Sequence, residues 1–139
     1  MKPSLHPNTI LPSITVGGSA GLVHAGIAAQ LWTYFGFENL LAAFATEPLY
    51  VSYVVLGMVL LGSIPGILYV RLHTVSPLLL VGSLLTLSTV LTWQTHRTSA
   101  TPVDPTPFGW YILLWVGIVA VSGLIGGIET ALRHRSATT

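Results

Sequence analysis

Cysteine is absent from the 139 residues. That removes disulfides, thiolate catalysis, iron–sulfur clusters and cysteine zinc sites together. Charge is nearly as scarce: Asp, Glu, Lys and Arg make up 6% of the chain, against roughly a quarter in an ordinary soluble domain. Five basic and four acidic side chains do not cover the surface of a water-soluble domain of this size. The net charge of +1 gives no field for nucleic acid, so no nucleic-acid partner is expected. There is no Asn-x-Ser/Thr sequon, no Gly-rich phosphate loop, no His-Glu-x-x-His and no Ser/His/Asp set. The reading is of a non-enzyme with no catalytic residues, no metal site and no cofactor.

What remains is apolar: 52% of the residues are hydrophobic and the mean hydropathy is +0.76. The solvent that suits such a surface is hydrocarbon. Crossing about 30 Å of it takes about 20 largely apolar residues. Four stretches meet or approach that length: 14–35, 49–70, 77–95 and 109–132. None contains Lys, Arg or Asp, and Glu129 is their one carboxylate. The third is shortest and richest in hydroxyls, which leaves a re-entrant segment open as an alternative to a full span. The expected fold is an all-α integral membrane protein, one domain over 1–139, with four transmembrane helices in an antiparallel bundle. Lys2 and the small residues Ala43 and Ala45 mimic parts of a signal peptide. The 14–35 run is too long for an h-region, however, so it is read as a retained span.

Basic residues set the expected orientation. Lys2, Arg71, Arg133 and Arg135 fall on one side, and Arg97 on the other with Glu38, Glu47 and Asp104. The positive-inside rule then places both termini in the cytoplasm of a multi-pass protein of the cell membrane. Trp32, Tyr34, Tyr50, Tyr53, Trp93, Trp110 and Tyr111 lie near the ends assigned outside, as an interfacial aromatic belt requires; Tyr69 alone marks the inner side. Residues 71–76 read as a tight turn, with Pro77 in the first turn of the next helix. Residues 94–108 read as an extended outer loop with Pro102, Pro105 and Pro107. Phe37, Leu40, Leu41 and Phe44 recur at i, i+3, i+4, i+7, which suits either an interfacial amphipathic helix over 37–47 or a continuation of the first span.

Inside the spans the clearest pattern is small residues four apart: Gly17 and Gly21, Gly62 and Gly66, Gly123 and Gly127, Ser122 and Gly126. In lipid, close backbone approach drives helix association. The spacing serves internal packing or a partner surface. His24 sits near the middle of the first span on the face of Gly17, Gly21 and Ala28. It is either polar glue to a neighbouring helix, for instance to a Thr of the third span, or a haem ligand, proton relay or substrate contact. A bis-His haem fails for want of a second histidine at that depth. Glu129 is i, i+4 to Arg133, an ordinary ion pair, or else a coupling-ion or proton site. At about 1.5 Å per residue it lies well below His24, so the two do not form a relay. Pro65 between Gly62 and Gly66 is a hinge candidate or a static bend. Ser83, Thr86, Ser88, Thr89 and Thr92 surround the third span, which favours local back-bonding over a polar pore.

Three roles follow. The first is an accessory or structural subunit of a membrane complex, acting by helix association with a membrane protein partner or with itself. The second is an oligomeric small-solute transporter or channel working through Pro65, His24 and Glu129. The third is an electron-transfer or quinone-linked subunit using His24.

Overall fold

A computed structural model describes residues 10–99 and 105–137. Lys2, Pro102 and Asp104, which enter the charge and loop arguments above, lie outside the described residues. Within them there are six helices and no strand. They are α1 (Ile10–Tyr34), α2 (Leu40–Thr46), α3 (Pro48–Leu72), α4 (Ser76–Thr98), α5 (Pro107–Leu113) and α6 (Trp115–Ser136). Four of these, α1, α3, α4 and α6, are long and apolar enough to cross a bilayer. The shortest has 22 residues, about 33 Å at 1.5 Å per residue. The third apolar stretch is thus one unbroken helix of 23 residues, not a re-entrant segment. An even number of crossings puts the start of α1 and the end of α6 on one side, the terminal face; the opposite side is the distal face.

Local chemistry explains where the helices stop. α1 ends in a turn at Gly36, whose φ of +74° is the left-handed conformation that glycine adopts without penalty. The chain restarts at α2, where the Asn39 side chain accepts a hydrogen bond from the Leu41 amide at 2.9 Å. Residues 40–46 are therefore a separate helix and not a continuation of α1. Pro48, Pro77 and Pro107 each occupy the first turn of their helix, where a missing N–H costs nothing.

The fourth apolar stretch forms two helices where its hydropathy alone reads as one. The break at Leu114 (φ −91°, ψ 16°) contains neither Gly nor Pro. Its cause is a side chain: the Tyr53 hydroxyl donates to the Leu113 carbonyl at 2.7 Å. A hydroxyl that takes a helix carbonyl competes with the i+4 amide and bends the ladder there.

α3 is the hub of the bundle, packed against α1, α4, α5 and α6. Successive spans alternate in direction, so α3 and α6, both descending from the distal to the terminal face, are parallel neighbours. The core lies towards the distal half, where Ala28 and Trp32 of α1 and Phe35 of the turn after it meet Val54, Met58 and Leu61 of α3 and Phe108, Tyr111 and Ile112 of α5. The remaining faces of α1 and α6 are apolar and outward, with Leu11, Leu22, Leu124, Ile128 and Leu132 exposed. In water that would be a liability; against acyl chains it is the expected surface.

Candidate functional site

α1 turns Ser13, Gly17, Gly21, His24, Ala28 and Trp32 inward, a stripe at helical spacing that faces α3. The backbones come close because the facing positions lack side chains. A Cβ at Gly66 would fall 2.9 Å from the Ala20 Cβ and 3.2 Å from the Gly17 Cα, and one at Gly62 would fall 2.6 Å from the His24 Cβ. Gly17 and Gly21 are as tightly placed, against Ile67 and Ser63. On α6 the glycines divide. Ser122 and Gly126 are buried, and Gly126 lies against Pro77, Thr74 and Leu68. A Cβ at Gly123 or Gly127 would meet nothing within 4 Å outside its own helix.

His24, 7% exposed, uses both ring nitrogens. Nδ1 lies 2.6 Å from the Met58 carbonyl of α3 and Nε2 lies 2.7 Å from the Tyr111 hydroxyl of α5. A carbonyl can only accept, so Nδ1 carries the hydrogen, and in the neutral ring Nε2 accepts from the tyrosine O–H. The imidazole joins three helices. Its partners differ from the Thr of the third span that the sequence suggested: Thr92, the nearest candidate by burial, instead accepts the Phe108 amide at 2.8 Å, which fixes the start of α5.

Tyr111 also departs from its expected place. The sequence put it in the interfacial belt with Trp32, yet the two are 5% and 6% exposed. Trp32 donates from Nε1 to the Glu38 carbonyl at 2.8 Å and stacks on Phe37. Tyr34, Tyr50, Tyr53, Trp93 and Trp110 keep exposed rings. The signal for Tyr111 was present: Phe108, Tyr111, Ile112 and Trp115 recur at i, i+3, i+4, i+7, a core stripe. An apolar groove of about 350 Å³ runs beside Tyr111, walled by Leu84, Leu87, Leu91, Trp110, Leu114 and Ile118.

Glu129 sits at the opposite end of the bundle and shares no partner with His24. Its carboxylate accepts from the Val75 amide at 3.1 Å, the Ser76 amide at 3.0 Å and the Ser76 hydroxyl at 2.6 Å, and pairs with Arg133. It therefore caps the first amides of α4, which have no partner within their own helix. Arg133 in turn donates to the His73 carbonyl at 2.8 Å, at the left-handed residue that closes α3. Together the pair clamps both ends of the α3–α4 turn. Ser76 and the turn amides had no motif to announce them; the sequence displays only the i, i+4 arginine.

Most third-span hydroxyls bond within their own helix: Thr86 to Gly82, Ser88 and Thr89 to Leu85. They line no continuous polar path. Pro65 lies inside α3, buried between Gly62 and Gly66. Two buried polar atoms have no hydrogen-bond partner among the described residues, Trp115 Nε1 and Ser122 Oγ. No group of three or more His, Asp or Glu side chains converges as a metal site among the described residues. Haem ligation by His24 would require Nε2 to give up Tyr111. Comparison with protein-family models, with curated proteins and with solved structures finds no match for this chain.

Proposed function

We propose that the protein works by association within the membrane, as an accessory or structural subunit of a membrane complex, with itself or with another helical protein. One observation carries this reading: the one histidine and the one carboxylate within the four apolar stretches, His24 and Glu129, are consumed by bonds that tie helix to helix. A transporter or relay needs such groups exchanging protons or ions with a pathway, and these have no spare nitrogen or uncommitted carboxylate face. The small-xxx-small spacing adds a surface. Gly17, Gly21, Gly62 and Gly66 serve the α1–α3 seam, which leaves Gly123 and Gly127 of α6 for a neighbouring helix.

The terminal face is assigned to the cytoplasm of the cell membrane, because Arg71, Arg133 and Arg135 gather there and Arg97 alone faces the other side. The cysteine-free chain makes that assignment testable. A thiol-specific, membrane-impermeant label should reach Ser99→Cys in intact cells and miss Ser136→Cys; the reverse pattern inverts the topology. For association, purification from native membranes in mild detergent should give a particle heavier than one 14.8 kDa chain with its micelle, and Gly123→Leu with Gly127→Leu should disperse it. A single monomeric species from the unmodified chain, with nothing co-purifying, ends the proposal.

A further inference from the structure

Pro65 has no N–H, so the Leu61 carbonyl one turn earlier in α3 loses its helical donor. Leu61 is 0% exposed, so neither bulk water nor headgroups reach it. A bare carbonyl in that setting is costly, and membrane helices satisfy carbonyls freed by proline with Ser/Thr side chains or ordered water. The facing helix offers such a side chain. Ser122 is 0% exposed and its hydroxyl has no partner among the described residues, although serine in a membrane helix readily back-bonds to its own i−4 carbonyl.

The two groups lie at one depth. α3 and α6 are parallel, and their contacts keep a single register, Gly57 with Trp115 and Leu68 with Gly126, the same offset of 58 positions. That register sets Ser122 level with Ile64. The Leu61 carbonyl points along the helix towards the level of residues 64 and 65, where the missing amide would be. Leu61 shares the α6-facing side with Gly57 and Leu68, at i, i+4 and i+11. Ser122 shares the inward side of α6 with Gly126. The hydroxyl and the freed carbonyl are therefore placed at one level on the facing sides of the two helices, and the hydroxyl makes no direct hydrogen bond to the carbonyl. One water molecule fits that relation: it donates to the carbonyl and exchanges a hydrogen bond with the hydroxyl, meeting the two-partner minimum for buried water.

We infer that Ser122 and the Leu61 carbonyl hold a bound water in the middle of the α3–α6 interface, which makes Pro65 a pinned bend. Such a water satisfies both groups and ties the two helices together at the one place where the α3 ladder is open.

The test is water-edited solid-state NMR of the full chain in lipid bilayers. Labelling Leu at the carbonyl carbon and Gly at nitrogen selects the two Leu–Gly pairs of the sequence, Leu56–Gly57 and Leu61–Gly62. Leu56 lies nearer the distal surface, so by depth alone it should be the wetter. The expected result is the inverse: Leu61 receives magnetisation from water ahead of Leu56. That advantage should be lost in Ser122→Ala and in Pro65→Ala, which restores an amide donor, and retained in Ser122→Thr. A Leu61 carbonyl no wetter than Leu56 in the unmodified protein overturns the inference, as does a wet Leu61 that ignores Ser122→Ala. Should the alanine variants not fold, the comparison of Leu61 with Leu56 decides alone.

Discussion

Tyr111→Phe removes one oxygen from the core and nothing else, so it isolates the bond that the His24 ring makes to α5. The phenyl ring keeps its packing against Phe108, and the change leaves His24 Nε2 buried without a partner. An unsatisfied buried polar atom costs about 1–3 kcal/mol. Interhelical hydrogen bonds in bilayers measured by double-mutant cycles average about 0.6 and reach about 1.7 kcal/mol, because the unfolded chain in lipid also finds partners. Two good distances, 2.6 and 2.7 Å, and full burial place this bond in the upper half of that range, near 1 kcal/mol. At about 1.4 kcal/mol per tenfold, this is about a fivefold change in the unfolding equilibrium. The assay is reversible unfolding in mixed micelles, followed by tryptophan fluorescence, on Tyr111→Phe, His24→Ala and the double variant. The cavity left by His24→Ala appears in both arms of the cycle and cancels. Losses that add to within about 0.5 kcal/mol would mean that the two residues do not interact, and the three-helix junction would have to be abandoned.

Gly62→Ala places a methyl group against the His24 Cβ and the Ala20 backbone and should destabilise by about 1–3 kcal/mol, as overpacking does. Gly18→Ala, with nothing within 4 Å, should be neutral or slightly stabilising through helix propensity; equal effects in the same micelle assay would contradict the α1–α3 seam. Glu129→Ala should speed amide exchange at Val75 and Ser76 while leaving the middle of α4 protected, and Glu129→Gln, which keeps an acceptor, should do so less. Unchanged exchange at those two amides refutes the cap. Tyr53→Phe releases the Leu113 carbonyl and should slow amide exchange at Gly117, the donor that the hydroxyl displaces.

The sequence and the structure part company at places with a common physical character. Long apolar runs and the prolines that open helices are local signals, and four spans could be read from them. The glycine spacing was visible as well, but not its division on α6, where Gly126 meets Pro77 and Gly127 meets nothing. Helical periodicity identifies faces without saying which one has a neighbour. Tyr111 was ambiguous for a related reason: its place near a span end suits an interfacial belt, while its i, i+3, i+4, i+7 stripe with Phe108, Ile112 and Trp115 suits a core. The break at Leu114 and the capping of α4 by Glu129 come from side chains reaching between helices, Tyr53 to Leu113 and Glu129 to Ser76. No residue beside either point hints at them.

The clamp at the terminal face has a consequence for biogenesis. Glu129 and Arg133 belong to α6, which is synthesised after α3 and α4, yet they complete the hairpin those two helices make. Until α6 enters the bilayer, the opening amides of α4 and the closing carbonyl of α3 must be served by interfacial water or lipid headgroups. Arrival of α6 releases that hydration, so its insertion also seals the earlier turn, and a chain stalled before residue 129 would present a loose, exchangeable hairpin to the quality-control machinery.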